Sequence, residues 1–371
     1  MDFHLKQIQL NGFKNHTERR FHFEAGINCI TGPNGVGKTN VLEAIHYLGF
    51  CKGYFNVMDA QNIQHGSDFF SIRGIFNKDG RETAVSCAVQ RGQRKRMKRD
   101  DKEYERLADH IGQFPIVVIS PYDVDLIREG SEARRRFMDL VISLDDKMYL
   151  QAVLRYNKAL QHRNNLLKYF WENRCMDKEQ LELWNERLIQ EGTIIHEKRT
   201  QFFKVFAPMF RSFQSAISNG QDEADLVYHS KMNDQPLAKL LEDSQKEDLR
   251  RQHTRVGIHK DDLQMTVGGH PVKRFGSQGQ QKSFLIALKL AQFRFIEEKT
   301  GVRPLLLLDD VFDKIDDQRV AYLVRLVDAD TFGQIFITDT SQERLDRIMT
   351  GIHKSYHCIP LNQSEHVPAE E

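Results

Sequence analysis

The N-terminal third of the chain alternates apolar and polar residues with the period of two that half-buried β-strands show. Two such segments, 69–76 and 83–89, flank the sequence Lys78-Asp79-Gly80. An Asp-Gly pair between alternating segments predicts a tight β-hairpin. Residues 115–119, PIVVI, are almost continuously apolar, which indicates a buried strand. This part of the chain is therefore predicted to be rich in β-structure, with one helix beginning near residue 38.

The pattern changes between residues 126 and 255 to the three- and four-residue spacing of amphipathic helices. Two apolar seams, at 149–170 and 181–205, are joined by a polar link and predict an antiparallel helical hairpin. At 1.5 Å per residue, each arm would be on the order of 30 Å long. Three charged residues interrupt the seams: Arg163, Glu191 and Lys198. An ordinary helical bundle and a short coiled-coil arm fit this pattern equally well.

Strands return after residue 255. Segments 262–267 and 272–275 flank Gly268-Gly269 and are a second hairpin candidate. A helix from Ser277, a strand at 304–308, a helix from about Asp317 and a strand at 334–338 follow. Because an α/β pattern resumes here, we predict an α/β fold built from residues 1–125 and 256–371. Residues 126–255 would then form a helical lobe inserted into it.

Composition restricts the possible partners. The chain has 371 residues, and 53 basic against 52 acidic residues give a formal net charge of +1. A nucleic-acid surface would therefore have to be a local patch. Five cysteines without CxxC spacing argue against a disulfide framework or a zinc site. With no secretory signal and no apolar run near the roughly 20 residues that span a bilayer, we expect a cytoplasmic protein without a membrane partner.

A glycine-rich loop carries the most specific chemical signal. The sequence GPNGVGKT satisfies the P-loop pattern GxxxxGK[ST] and lies between a predicted strand and a predicted helix. Its glycines let backbone N–H groups face phosphate oxygens, its lysine can reach the β- and γ-phosphates, and its threonine can bind Mg²⁺. The predicted ATP-binding residues are Gly32, Pro33, Asn34, Gly35, Val36, Gly37, Lys38 and Thr39.

Residues 305–311, LLLLDDV, form an apolar strand that ends in two carboxylates. Desolvating paired like charges is costly unless a cation is present. Asp309 is therefore predicted to hold Mg²⁺ as a Walker B residue, and Asp310 to orient or deprotonate the attacking water. The alternative is that Asp310 only begins a loop as a turn or cap residue.

The sequence GSQGQQKS at 276–283 places small and amide side chains where an apolar helix begins. Ser277, Gln278, Gly279 and Gln280 would offer a hydroxyl and free N–H groups to an oxyanion. Because one nucleotide does not need two phosphate cradles from one chain, two chains facing head to tail would each lend one. SQGQQ resembles the LSGGQ signature of ABC ATPases, which works in this way. The alternative is a serine N-cap followed by solvated glutamines.

Together these segments resemble the RecF family within the RecF and SMC branch of ABC ATPases. The resemblance implies an ABC-type P-loop ATPase head with the helical lobe inserted, and it makes Asp316 of DKID the residue that contacts the opposing protomer. Ile258 and Lys260 stand where the family pattern has proline and arginine. The matching strings are LNGFKNH (10–16), GPNGVGKTNVLEAIHYL (32–48), SPYDVDLIREGSEARRRFMDL (120–140), HTRVGIHKDDL (253–263), SQGQQKS and LLLLDDVFDKID.

The resemblance also implies a function. Family members would bind DNA at gaps and stalled forks, hydrolyse ATP slowly with stimulation by DNA, and dimerise with ATP. They would work with RecO and RecR proteins in recombinase loading and SOS induction. Asp310 stands where most ABC ATPases have glutamate, which favours slow turnover, and Thr338 or Asp339 replaces the usual switch histidine. An SMC-like chromosome-organising head, or an ABC subunit serving a membrane partner, are the alternatives.

The densest positive run is RGQRKRMKRDDK at 91–102. Such a run can contact a phosphate backbone without sequence preference. The alternative is a solvated loop or hairpin tip, which charge runs usually are. A second cluster, Arg134 to Arg136, could bind DNA or form ion pairs with neighbouring acids. The candidate DNA contacts are Arg91, Arg94, Lys95, Arg96, Lys98 and Arg99.

Overall fold

The structure, a computed structural model, describes residues 2–55, 58–311, 331–350 and 355–362. It divides into two compact units, Met1–Asp123 with Gln292–Glu371 and Val124–Ala291. The strands within the described residues are β1 (Phe3–Phe13), β2 (His16–His22), β3 (Ile27–Thr31), β4 (Phe69–Lys78), β5 (Arg81–Gln90), β6 (Arg96–Arg99), β7 (Lys102–Glu103), β8 (Ile116–Ile119), β9 (Ala224–His229), β10 (Asp262–Val267), β11 (His270–Pro271), β12 (Leu305–Asp309), β13 (Ile335–Asp339) and β14 (Tyr356–Pro360).

The helices of the described residues vary from one turn to forty residues. They are α1 (Lys38–Phe50), α2 (Asp125–Arg128), α3 (Ser131–Ser143), α4 (Lys147–Asn173), α5 (Lys178–Ile217), α6 (Leu237–Arg251), α7 (Val272–Phe275), α8 (Gln278–Thr300) and α9 (Gln342–Thr350). None of them, in the part of the chain that the structure describes, is long and apolar enough to cross a membrane.

The first unit contains two sheets and the helix that follows the P-loop. An antiparallel sheet has the order β2-β1-β4-β5-β6-β7, and a parallel sheet has the order β14-β3-β13-β12-β8. Helix α1 contacts strands of both sheets, which explains why nearly all of its side chains are buried. The predicted Asp-Gly hairpin is confirmed: Asp79 and Gly80, with φ of 51° and 83°, turn the chain between β4 and β5.

Register in the parallel sheet brings distant residues together. Asp309 at the end of β12 pairs with Thr338 of β13, and Thr338 pairs with Ile30 of β3. The strands β3, β12 and β13 therefore end at one edge, where the P-loop begins. Ligands of α/β proteins commonly bind at this edge of a parallel sheet.

The second unit contains the predicted helical hairpin. Helices α4 and α5 are antiparallel and have 27 and 40 residues, or about 40 and 60 Å at 1.5 Å per residue. The predicted seams, 149–170 and 181–205, lie inside these helices with their charged interruptions, and both helices extend beyond the seams at each end. Arg163 is fully buried and donates to Asp248 Oδ2 at 2.8 Å and to Thr254 Oγ1 at 2.7 Å. Buried charge within the seam is thus neutralised by partners on neighbouring elements.

The second unit continues to Ala291, beyond the predicted lobe boundary at 255, because β10 pairs with β9. The predicted return strand at 272–275 is wrong. The turn at Gly268-Gly269 leads only into the two-residue β11, and Gly276 N then donates to Val272 O at 3.0 Å to close a helical turn. Pro271 precedes that turn and has no N–H to extend a strand ladder.

Candidate functional site

The P-loop joins β3 to α1 through a backbone that requires glycine. Gly32 has a φ of 151°, and a Cβ there would lie 2.4 Å from Leu361 O. Gly37 has a φ of 106°, and a Cβ there would lie 2.6 Å from Asn15 Oδ1. Side chains at these positions would be both strained and crowded. The glycine spacing therefore fixes the loop at the start of α1, and the first-turn N–H groups of a helix can bind an anion.

Lys38 is the first residue of α1 and is buried. Its Nζ donates to Gly32 O at 2.8 Å and to Pro33 O at 3.1 Å, so the side chain folds back over the loop. A lysine in this place is a point charge that can transfer from these neutral carbonyls to phosphate oxygens. The predicted P-loop residues thus come together in one loop with their cation inside it.

Three oxygen-bearing side chains meet beside the loop. Thr39 Oγ1 donates to Asp309 Oδ1 at 2.9 Å, and Thr338 Oγ1 donates to the same oxygen at 2.8 Å. Burial raises the pKa of Asp309, and the hydrogen bonds from Thr338 and Thr39 oppose that rise. A desolvated carboxylate beside a hydroxyl is the hard-oxygen set that Mg²⁺ prefers. Thr39 and Asp309 therefore fit the ion that the sequence predicts.

Asp310 follows directly, in a left-handed conformation with a φ of 46°. Its N–H donates to Thr338 Oγ1 at 3.0 Å. Thr338 thus contacts both carboxylate residues, one through its proton and the other through its lone pair. Asp339, the other candidate for the switch position, instead accepts from Ser341 N at 2.8 Å. Of the two, Thr338 is the residue that contacts the predicted Walker B pair.

Two residues at the turn between β1 and β2 form hydrogen bonds with backbone carbonyl oxygens of the P-loop. Asn15 Nδ2 donates to Gly35 O at 3.3 Å, and His16 Nε2 donates to Gly37 O at 3.2 Å. Burial lowers the pKa of His16, so its ring is neutral at pH 7. Sequence reasoning missed both roles. The signal available was a polar Asn-His pair directly after the apolar strand in LNGFKNH.

The signature residues belong to the second unit, whereas the P-loop, Asp309 and Asp310 belong to the first. Ser277 Oγ accepts from Gln280 N at 3.2 Å, and Gln280 Oε1 accepts from Ser277 N at 2.9 Å. This reciprocal pair of hydrogen bonds is a capping box. In the single chain, Ser277 is therefore a helix N-cap, as the alternative interpretation predicted. Ser277 and Gln278 are exposed, and Gly279 lies in the first turn of α8.

Asp316 and the helix predicted from Asp317 lie outside the described residues. Residues 91–95 of the basic run form the tip of the hairpin between β5 and β6, and residues 96–99 are the strand β6 itself. Arg91, Arg94 and Arg96 are exposed, whereas Lys95 Nζ lies 2.7 Å from Asp59 Oδ2.

The cluster at Arg134 to Arg136 forms ion pairs and hydrogen bonds within its own unit. Arg134 binds both carboxylate oxygens of Asp262, with distances of 2.6 and 3.0 Å. Arg135 donates to Asp261 O at 2.8 Å, and Arg136 pairs with Glu132. These contacts favour the ion-pair alternative for this cluster.

Comparison with known proteins agrees with this geometry. The sequence profile of the RecF/RecN/SMC N terminal domain matches residues 4–357. The DNA replication and repair protein RecF of Flavobacterium johnsoniae is 47% identical over 358 residues, which are 96% of this chain and 100% of that protein. This chain belongs to the RecF family. The family resemblance predicted from the motifs is therefore confirmed.

Comparison with solved structures identifies the fold. The structure of the recombination mediator protein RecF-ATPrS in the RecFOR pathway has a TM-score of 0.86 and 28% identity, covering 97% of this chain and 96% of that one. An Smc head domain from Pyrococcus furiosus has a TM-score of 0.57 at 17% identity, covering 97% and 94%, which shows a shared fold. The predicted α/β fold, an ABC-type ATPase head with an inserted helical lobe, is confirmed.

Proposed function

We propose that this chain is an ATP-dependent DNA-binding protein of recombinational repair and replication, in which slow ATP hydrolysis controls dimerisation. One observation carries the proposal. Asp309 accepts hydrogen bonds from both Thr39, beside the P-loop lysine, and Thr338. This is the arrangement of an ATPase site, in a chain whose relatives are named RecF and include a structure with ATPrS.

The chain's own residues would bind and orient ATP. P-loop amides would hold the phosphates, and the Lys38 ammonium would exchange the Gly32 and Pro33 carbonyls for β- and γ-oxygens. Thr39 and Asp309 would hold Mg²⁺, which supplies neutralisation of phosphate charge when bound. Asp310 would orient or deprotonate the attacking water. Its side chain is one methylene shorter than glutamate, which fits slow turnover and a timing role.

A second copy of the chain would complete the site. Ser277 and Gln278 are exposed at the start of α8, and the first-turn N–H groups of a long helix attract anions. The Ser277–Gln280 capping box would open so that Ser277, Gln278, Gly279 and Gln280 cover the γ-phosphate of the partner's ATP. Asp316 would add a contact to the opposing protomer. Two ATP molecules would thus close a homodimer, and hydrolysis would open it.

Exposed cations would supply the DNA contacts. Arg91, Arg94 and Arg96 are exposed, and Arg99 is exposed at the end of β6. They can neutralise backbone phosphates of single-stranded or gapped DNA without reading bases. The family resemblance supplies the rest of the proposed role. The protein would act in the cytoplasm at DNA gaps and stalled forks, together with RecO- and RecR-like partners. It would support recombinase loading and SOS induction.

Sedimentation with and without ATP and DNA tests this function. Wild type should be monomeric alone and dimeric with ATP, and DNA should accelerate its hydrolysis. Lys38→Met should stay monomeric with ATP, because it removes the cation that holds the phosphates. Ser277→Arg should bind ATP as a monomer without hydrolysing it, and Ser277→Ala, which loses the same cap without added bulk, controls for the helix end. Full hydrolysis by a monomer at high dilution would rule out the shared site.

A further inference from the structure

A half-buried charged cluster connects the basic run to the core of the first unit. Lys95 Nζ lies 2.7 Å from Asp59 Oδ2, with side-chain exposures of 15% and 30%. The same ammonium lies 5.2 Å from the centre of the Tyr47 ring. Tyr47 is fully buried, and its hydroxyl donates to Asp59 Oδ1. One carboxylate oxygen of Asp59 therefore contacts Lys95 of the basic run, and the other contacts the buried Tyr47.

The first connection from Asp59 to the nucleotide site runs through Tyr47. This residue lies on α1, the helix that begins at Lys38. Its ring packs edge-on against Phe13 at 6.3 Å and Phe70 at 5.4 Å, measured between ring centres. The phenol is thereby held between the helix and strands β1 and β4. Contacts through Tyr47 therefore connect Asp59 to the helix whose first turn belongs to the P-loop.

The second connection runs through the backbone. Asp59 begins a short 3-10 helix, Asp59–Asn62, and Asn62 O accepts from Lys14 N at 2.8 Å. The next residue along, Asn15, donates to Gly35 O of the P-loop. Two independent sets of contacts thus join Asp59 to the loop, one through packed side chains and the other through hydrogen bonds.

Lys95 also has the right position in the basic run. Exposure alternates here: Arg94 and Arg96 are exposed, Lys95 is half-buried and Met97 is buried. A phosphate backbone bound by Arg94 and Arg96 would therefore fix a segment whose intervening residue points toward Asp59. The DNA contact and the internal contact lie on adjacent residues of one chain segment.

We propose that Asp59 is a positioning residue through which DNA bound at the basic run changes ATP turnover at the P-loop. The inference rests on the proposed function and names the residue that carries its regulation. Lys95 transfers a displacement of the segment to Asp59, and Tyr47 and the turn at Asn15 transfer it to the loop. Contacts alone do not establish coupling, so the test measures the coupling itself.

Asp59→Asn breaks one side of this connection selectively. An asparagine oxygen can still accept from the Tyr47 hydroxyl, but an amide NH₂ would face the Lys95 ammonium and cannot accept from it. Because the substitution removes a negative charge, it should leave DNA affinity equal or higher. A loss of DNA stimulation could then not be a loss of DNA binding.

The matched control is Asp109→Asn. Asp109 is also an aspartate in a short 3-10 helix, and it forms a 3.2 Å ion pair with the exposed Arg106. Lys95→Arg should retain stimulation because it keeps a cation for Asp59, whereas Lys95→Met should lose it. These variants keep the test independent of whether Asp59→Asn folds well, which thermal melting would show.

The readout is the ratio of ATP hydrolysis at saturating gapped DNA to hydrolysis without DNA, together with DNA affinity at fixed salt. Asp59→Asn should keep the basal rate within about twofold while its ratio falls close to one. Asp109→Asn should keep the wild-type ratio. A wild-type ratio in both Asp59→Asn and Lys95→Met overturns the inference and leaves the proposed function intact. Absence of stimulation in wild type would refute the proposed function itself, and the inference with it.

Discussion

Replacing Thr338 by valine removes a single hydroxyl at the centre of the candidate site and keeps the shape of the side chain. Thr338 is fully buried, donates to Asp309 Oδ1 at 2.8 Å and accepts from Asp310 N at 3.0 Å. The variant therefore loses two hydrogen bonds at once. Serine at the same position keeps the hydroxyl and is the matched control.

The expected cost follows from the two partners. A hydrogen bond to a charged group contributes about 1.5–3 kcal/mol and one between neutral groups about 1 kcal/mol. Thr338→Val should therefore lower the free energy of unfolding by roughly 2–4 kcal/mol, less any solvation that Asp310 N–H regains. The pKa of Asp309, already raised by burial, should rise further because one of the hydrogen bonds that lower it is gone. A more readily protonated carboxylate is a poorer Mg²⁺ ligand.

Urea unfolding and steady-state ATP hydrolysis measure the two effects separately. We expect kcat to fall by about tenfold or more, since each 1.4 kcal/mol lost from the transition state corresponds to a factor of ten. The fall should be partly reversed by raised Mg²⁺ concentration, and Thr338→Ser should behave nearly as wild type. Wild-type stability together with wild-type kcat in Thr338→Val would refute the role assigned to this hydroxyl.

Two further substitutions test the buried carboxylates. Asp309→Asn should raise the melting temperature in EDTA at pH 7. Because burial raises the pKa of Asp309 in the folded state, the ionised carboxylate is destabilising above that pKa, and asparagine carries no charge. The amide oxygen can still accept hydrogen bonds from Thr39 and Thr338. The same variant should lose the gain in melting temperature that Mg²⁺ and ATP give wild type, and an unchanged gain would remove Asp309 from the metal site. Asp248→Asn should lower the free energy of unfolding by about 3–5 kcal/mol, because it leaves the fully buried Arg163 without its counter-ion; urea denaturation measures this, and a loss below about 1 kcal/mol would contradict it.

Local patterns predicted most of the residues that meet at the candidate site, because the P-loop and the carboxylate pair are each continuous in sequence. The P-loop needs only eight successive residues and their flanks, and the Walker B pair ends one apolar strand. The contact between Asp309 and Thr338 depends on the register of two parallel strands 29 residues apart. Register is not encoded in either strand alone, so the sequence left Thr338 and Asp339 as equal candidates.

The errors in the fold have similar causes. The seam predicted for α5 ended at residue 205, whereas the helix continues to Ile217. Pro208 does not end it, because Phe206 and Phe210 on either side of the proline continue the buried face. The hairpin after β10 was extended too far because a glycine pair fixes a turn but not the length of the returning strand. Pro271 and the buried Val272 convert that return into a helical turn.

The hydroxyl of Thr338 has one proton and cannot change its charge in water near neutrality. A histidine at this position would gain and lose a proton between about pH 5 and 8, and its hydrogen bonds at the nucleotide site would change with its charge. The threonine hydroxyl keeps the same charge throughout that interval. The link that Thr338 makes between Asp309 and Asp310 therefore does not depend on protonation of residue 338 itself.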